Sequence, residues 1–509
     1  MFIKTRHLFL LTVIAFHLPK VSFGTNPQSQ KPQISLYVHE RTNVREAFGI
    51  GKLKESIEKA GYQVIVQKTI PGRAKPTDIV VGQSDLKAMQ ALAGHYRFAL
   101  SLQEKKEAFQ LKKTTKTPCL LIGKDDSGVL YGCLELAARI SQAGALPEEM
   151  NVEEQPEMVL RGTCVGLQKP SLLPDREVYE YPYTPESFPW FYDKALWIKY
   201  LDMMLENRYN SLYLWNGHPF ASLVRLKKYP YAVEVDEATF AKNEEMFRFL
   251  TQEADKRGIW VIQMFYNIIV SKPFAEHHHL KTQDRNRPIV PVIADYTRQS
   301  IAAFVEKYPN VGLLITLGEA MEGVGRDDVD WFTKTILPGV KDGLKALGKT
   351  TEPPIVLRAH DTDAPRVMKE ALPFYKNLYT MAKYNGEALT TYTPRGSWAE
   401  LHRSLSRIGT VHIENVHLMS NLEPFRYSSP DFIQKCVQAM HQVYEANGLH
   451  LYPQASYWDW PYTADKTPQR LLQLDRDDMW YKTWARYAWN SKRERKIEQA
   501  YWQNYLGQK

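Results

Sequence analysis

The chain has 509 residues, 44% hydrophobic and 24% charged, with a formal net charge of +8. That length suggests about two to four domains, fewer if one is an α/β barrel, and the composition excludes a disordered or fibrous protein. The modest charge, with no lysine–arginine block, excludes a nucleic-acid binder built on a basic patch.

The first 24 residues combine a basic start (Lys4, Arg6), an apolar run from Leu8 to Leu18 and small residues at Ser22 and Gly24. This is the pattern of a signal peptide, too short for a membrane span, so the protein is expected to be periplasmic or secreted. Loss of Lys4, Arg6 and Lys20 with the signal leaves +5 of the +8. No later stretch reaches the roughly 18 apolar residues of a spanning helix. Residues 25–33 read as a mobile polar leader. The four cysteines have no metal-ligand spacing. Cys119 and Cys133 are the nearest pair, and either a disulfide or buried thiols fit them.

Residues 34–155 read as a small α/β domain. ISLYVHE, YQVIVQKT and TDIVVGQ are strand-like, and residues 43–61 carry helical spacing at Val44, Phe48, Leu53 and Ile57. A helix over SDLKAMQALAG would be capped by Ser84 or Asp85. Residues 97–113 alternate like a hairpin, and PCLLIGKDDSGVLYGCLELAARIS reads as strand, turn and helix. The acidic stretch around residues 147–158 reads as a linker.

From 156 to 490 apolar runs recur at 158–167, 211–215, 259–267, 312–319, 354–361, 378–385, 410–417 and 449–458, most of them separated by amphipathic helical segments. Eight such runs predict a (β/α)8 TIM barrel. A doubly wound sheet fits less well, because no glycine-rich phosphate turn follows the first strand. Residues 491–509 read as a C-terminal helical tail.

Active sites of such barrels lie at the carboxyl ends of the strands. There the sequence offers Trp215, Asn216 and His218 on strand two, Tyr266 and Asn267 on strand three, and Glu319 on strand four. Strand five ends in Arg358, His360 and Asp361, strand six in Lys383, Asn385 and Glu387, strand seven in Glu414, and strand eight in Trp458. Paired carboxylates suit glycosidic hydrolysis: one protonates the leaving oxygen while the other activates water or attacks carbon. Aromatic residues at the same rim stack on sugar faces, and Asn, His, Arg and Lys bind hydroxyls or a carboxylate. Glu322 shares the turn with Glu319, and Asp361 also suits a cap for the helix that begins at Ala364. Three adjacent histidines, His277 to His279, cannot all face one ion, so no metal and no cofactor is expected.

The chain resembles the xylan-type α-glucuronidases, glycoside hydrolase family 67. The similarity lies in GLLITLGEAMEG, VLRAHD, KYNGEAL, HIENVHL, LEPF and GVLYGCLELAARI. It implies a small domain before a barrel, Glu319 as general acid, Glu414 as base, substrate contacts from Arg358, Lys383 and Asn385, and inversion. The family's strand-six aspartate falls on Ala388 or Leu389, with Glu387 as the nearest substitute. The expected partner is an oligosaccharide or polysaccharide fragment, with no nucleic acid. Two alternatives stay open: a non-catalytic carbohydrate-binding barrel, and a hexosaminidase-like substrate-assisted glycosidase. Gly318, where that chemistry places an aspartate before the acid, counts against the second.

Overall fold

The computed structural model describes residues 31–508 except 101, 103–104, 170–180, 267, 287, 319–320, 322–325, 387–388, 390, 409, 418–427, 455–459 and 464–466. The expected signal peptide and most of the leader lie outside the described residues. So do Asn267, Glu319, Glu322, Glu387 and Trp458.

The small domain is a six-stranded sheet in the order β2-β1-β3-β5-β4-β6. Its strands are β1 (Gln33–Tyr37), β2 (Gln63–Gln67), β3 (Ile79–Gln83), β4 (Phe109–Lys113), β5 (Cys119–Gly123) and β6 (Met150–Glu154). The helices are α1 (Val44–Lys59), α2 (Lys87–His95) and α3 (Asp126–Ala143). Asn43 and Glu46 close a capping box on α1, and Asp125 accepts from the Gly128 amide at the start of α3. Three local expectations are corrected. Helix α2 starts after Leu86, with no side-chain cap from Ser84 or Asp85. Among the described residues β4 pairs antiparallel with β5 and β6, not with a strand inside residues 97–113. The acidic stretch read as a linker contains β6, because pairing with β4 satisfies its backbone. All four cysteines are buried free thiols.

Eight parallel strands close the second unit into the expected barrel, in the order β10-β11-β12-β13-β14-β7-β8-β9. They are β7 (Leu160–Gly166), β8 (Ser211–Trp215), β9 (Trp260–Tyr266), β10 (Val311–Thr316), β11 (Ile355–Arg358), β12 (Leu378–Lys383), β13 (Val411–Val416) and β14 (Gly448–Gln454). Side chains alternate between two apolar layers. Cys164, Tyr213, Met264, Leu314, Val356, Met381 and Ile413 fill the lumen. Leu212, Val261, Leu313, Leu357 and Leu449 face the surrounding helices. This double burial explains the unbroken apolar runs in the sequence.

Beneath the barrel, a buried ion pair joins it to the small domain. Arg161 on β7, fully buried, meets Glu107 Oε2 at 2.5 Å and donates to the Met158 and Arg208 carbonyls. Asn210 donates to the other Glu107 oxygen at 2.7 Å. Helix Arg495–Gly507, at the C-terminus, is tied to the preceding helix by paired Arg486–Glu498 contacts of 2.7 Å.

Candidate active site

The strand alternation that builds the lumen also decides which predicted residues reach the barrel mouth. On β8 the inward series runs through Tyr213 to Trp215, and on β9 through Met264 to Tyr266. β11 delivers Arg358 after Val356, and β12 delivers Lys383 after Met381. Strand register sets Tyr266 beside Thr316 and Thr316 beside Arg358. The Arg358 guanidinium lies 5.3 Å from the Trp215 ring, a cation–π contact. Trp215 in turn packs edge-on against Tyr452 of β14 at 4.4 Å. Arg358 is 3% exposed and Lys383 8%, so both cations are buried at the mouth.

Two residues of this mouth escaped the sequence reading, and a third was seen there but not singled out. Asn415 lies directly beside Lys383 in the register and is 1% exposed, with no hydrogen-bond partner for its Oδ1 among the described residues. His417 stacks on Tyr452 at 4.7 Å. Counting by twos along β13 from the lumen residue Ile413 finds Asn415 and His417; Tyr452 follows from β14 in the same way.

The same count overturns the predicted base. Glu414 is adjacent to Ile413, so its side chain leaves the opposite face of β13, toward the helices. It is fully buried there beside His402 of helix Ser397–Ser406, with His402 Nδ1 2.9 Å from Glu414 Oε2. It therefore does not share the mouth with Arg358 and Lys383.

Asn216 and His218 are also structural. Asn216 is fully buried; it donates to the Leu167 and Tyr181 carbonyls and accepts from the His218 amide. The His218 ring bonds the Tyr296 hydroxyl at 2.9 Å, within the helix layer. His360 and Asp361 lie on the loop after β11, 3.6 Å apart, and the Asp361 side chain is 60% exposed. The cap of helix Ala364–Ala371 is Asp363, not Asp361. Asn385 takes a left-handed backbone (φ 61°), which asparagine tolerates, and its amide donates to the Thr391 carbonyl at 3.3 Å.

Gly318 brings β10 to position 319. Its amide donates to Thr362 Oγ1, and a Cβ there would fall 1.9 Å from the Asp361 carbonyl oxygen. An aspartate cannot occupy that position without moving the loop after β11, a steric reason against the substrate-assisted alternative.

A cavity of about 670 Å³ opens from Gly166 at the end of β7. Among the described residues, Trp190, Trp460 and Tyr462 line it with Lys169, Lys199, Arg470 and Asp193, and Lys199 pairs with Asp475 at 2.7 Å. Aromatic faces among cations suit an acidic sugar chain.

No protein-family model matches the chain, and no curated protein matches it. Among solved structures, the chain is 57% identical to a GH138 enzyme targeting pectin rhamnogalacturonan II, with a TM-score of 0.82. The match covers 93% of this chain and 53% of that one, so the chain spans about half the length of that structure. The GH20 exo-β-N-acetylglucosaminidase from Vibrio harveyi matches at 11% identity and TM-score 0.51, over 94% of this chain and 73% of its own. CpGH84B matches at 12% and 0.54, over 90% and 68%. These two likenesses show the barrel fold alone. The resemblance to the xylan-type α-glucuronidases is overturned: the extensive similarity is to a GH138 enzyme. The segments that suggested otherwise are short and made largely of what any barrel strand supplies, an apolar run and a polar terminus.

Proposed function

We propose that the chain is a glycoside hydrolase of the GH138 type, acting on an acidic pectic polysaccharide fragment. The observation that carries this reading is the 57% identity with an enzyme targeting pectin rhamnogalacturonan II, extending over 93% of this chain. The mouth supports it. Arg358 and Lys383 are suited to a uronate carboxylate, and Trp215 and Tyr452 to a sugar face. The cationic, aromatic cavity beside the mouth gives further sugars of the chain a path away from it.

Glu319, which follows Gly318 in the sequence after β10, takes the role of general acid. With Glu414 behind the barrel wall, the second carboxylate is Glu387, after β12. Lys383 and Asn415 hold the sugar between them. The N-terminal segment supports export to the periplasm or medium, where polysaccharide fragments are met.

The test is product analysis on rhamnogalacturonan II, on de-esterified homogalacturonan and on a neutral glycan. Release of a uronate from the first alone is expected. No release from any pectic substrate, or release from the neutral glycan alone, contradicts the reading. Proton NMR of the first-formed anomer then tells inversion from retention, and so whether Glu387 activates water or attacks carbon.

A further inference from the structure

His402 on helix Ser397–Ser406 and His412 and Glu414 on β13 meet on the helix-facing side of the barrel wall, all three fully buried. His402 Nδ1 lies 2.9 Å from Glu414 Oε2 and 3.3 Å from His412 Nε2, and His412 Nε2 lies 3.8 Å from Glu414 Oε1. Despite the 2.9 Å approach, neither Glu414 oxygen has a hydrogen-bond partner among the described residues. The nitrogen is close but not directed at the oxygen. A buried carboxylate left in that state is costly.

One ion resolves the geometry. A tetrahedral zinc ion with bonds of about 2.0–2.1 Å separates its ligand atoms by roughly 3.3 Å; the two imidazole nitrogens stand at that separation, and each faces a different oxygen of Glu414, at 2.9 and 3.8 Å, with one donor atom from each residue within 4.8 Å of the others. The remaining nitrogen of His412, Nδ1, sits 3.0 Å from Thr380 Oγ1, the outer-shell contact that fixes a metal-binding imidazole. We propose that His402, His412 and Glu414 bind one divalent ion of the zinc class, clamping helix Ser397–Ser406 to β13. Two imidazoles with one carboxylate favour such an ion over calcium or magnesium, which take oxygen ligands. The ion is structural: it lies behind the wall, and it fixes the strand that carries Asn415 and His417 into the mouth. The adjacent histidines His277 and His278 are engaged elsewhere, stacked on the Tyr231 ring at 3.9 Å and bonded to its hydroxyl at 2.8 Å respectively.

The experiment uses the full chain without a polyhistidine tag. Elemental analysis after growth with zinc is expected to give one zinc per chain. Protein stripped by chelator and reloaded with cobalt(II) is expected to show visible cobalt absorption, lost in His402→Gln and His412→Gln and kept in His278→Gln. Crystals of the wild type are expected to give an anomalous peak at the zinc edge between His402 Nδ1, His412 Nε2 and Glu414. Because losing a ligand lowers stability as well as affinity, the wild-type measurements decide without relying on how the variants fold. Folded wild type with no zinc, and with a thermal midpoint that added zinc leaves unchanged, overturns the proposal. So does an anomalous peak elsewhere, or an unaltered cobalt spectrum in His402→Gln. Pectinolytic activity is not the readout, so the result stands apart from the proposed function.

Discussion

Arg358 brings a charge that does not titrate to the mouth, and its guanidinium is held over Trp215. If it binds a uronate, Arg358→Ala loses a buried charge-assisted contact, a loss of roughly 30-fold or more in kcat/KM on the acidic substrate. The matching neutral substrate loses much less; equal losses on both would argue against carboxylate recognition. Deeper in the lumen, His450 packs against Tyr213 with the rings tilted and 4.1 Å between centroids, and neither ring nitrogen has a hydrogen-bond partner among the described residues. Burial, reinforced by the charges of Arg358 and His417, pushes its pKa well below the ordinary 6.5. The folded protein therefore keeps it neutral while the unfolded chain protonates it. Its contribution is full above about pH 6.5 and declines as the pH falls below that value. Replacing His450 with Gln is expected to flatten this acid limb in denaturant titrations between pH 7 and 5; an unchanged slope would contradict the assignment. At this scale the direction of a side chain was legible wherever a residue fell in phase with the lumen: Trp215, Tyr266, Arg358 and Lys383 point to the mouth. It misled at Asn216, His218 and Glu414, which lie one residue out of phase or in the turn beyond. A one-residue step at a strand end turns a side chain from the substrate to the helix layer.

Each barrel strand was visible in the sequence as an apolar run, to within a few residues at either end, because strands covered on both faces admit little polarity. β6 was not, because an edge strand paired on one side only, here antiparallel with β4, keeps polar, acidic side chains and so resembles a linker. The packing of neighbouring strand ends was invisible too. Gly318 is adjacent to the loop after β11, where an added methyl group would meet the Asp361 carbonyl oxygen at 1.9 Å. Gly318→Ala is therefore expected to destabilise by about 1–3 kcal/mol, the usual cost of overpacking. It should also reduce activity if Glu319, the next residue in the chain, is the general acid. A variant with the thermal midpoint and kcat of the wild type would show that the turn is not under this constraint.

The whole molecule depends on a joint that sequence patterning cannot show, because Glu107 and Arg161 belong to different domains and meet only in three dimensions. Their contact is buried, with Arg161 fully enclosed, so removing one partner leaves an uncompensated charge. Glu107→Ala is expected to cost about 3–5 kcal/mol in chemical denaturation; a loss under about 1 kcal/mol would mean that the joint contributes little. Among the described residues no helix is long and apolar enough to cross a membrane. Which carboxylates serve the mouth turns on the outward orientation of Glu414. The direct measurement is kcat on a rhamnogalacturonan II oligosaccharide for Glu319→Gln, Glu387→Gln and Glu414→Gln, each alongside its thermal midpoint. The account predicts losses of about 10²- to 10⁴-fold for the first two with the fold intact. For Glu414→Gln it predicts a lowered midpoint, with kcat in the folded protein within about tenfold of wild type, below that catalytic range. A Glu414→Gln protein with an unchanged midpoint and a loss as large as that of Glu319→Gln would contradict it.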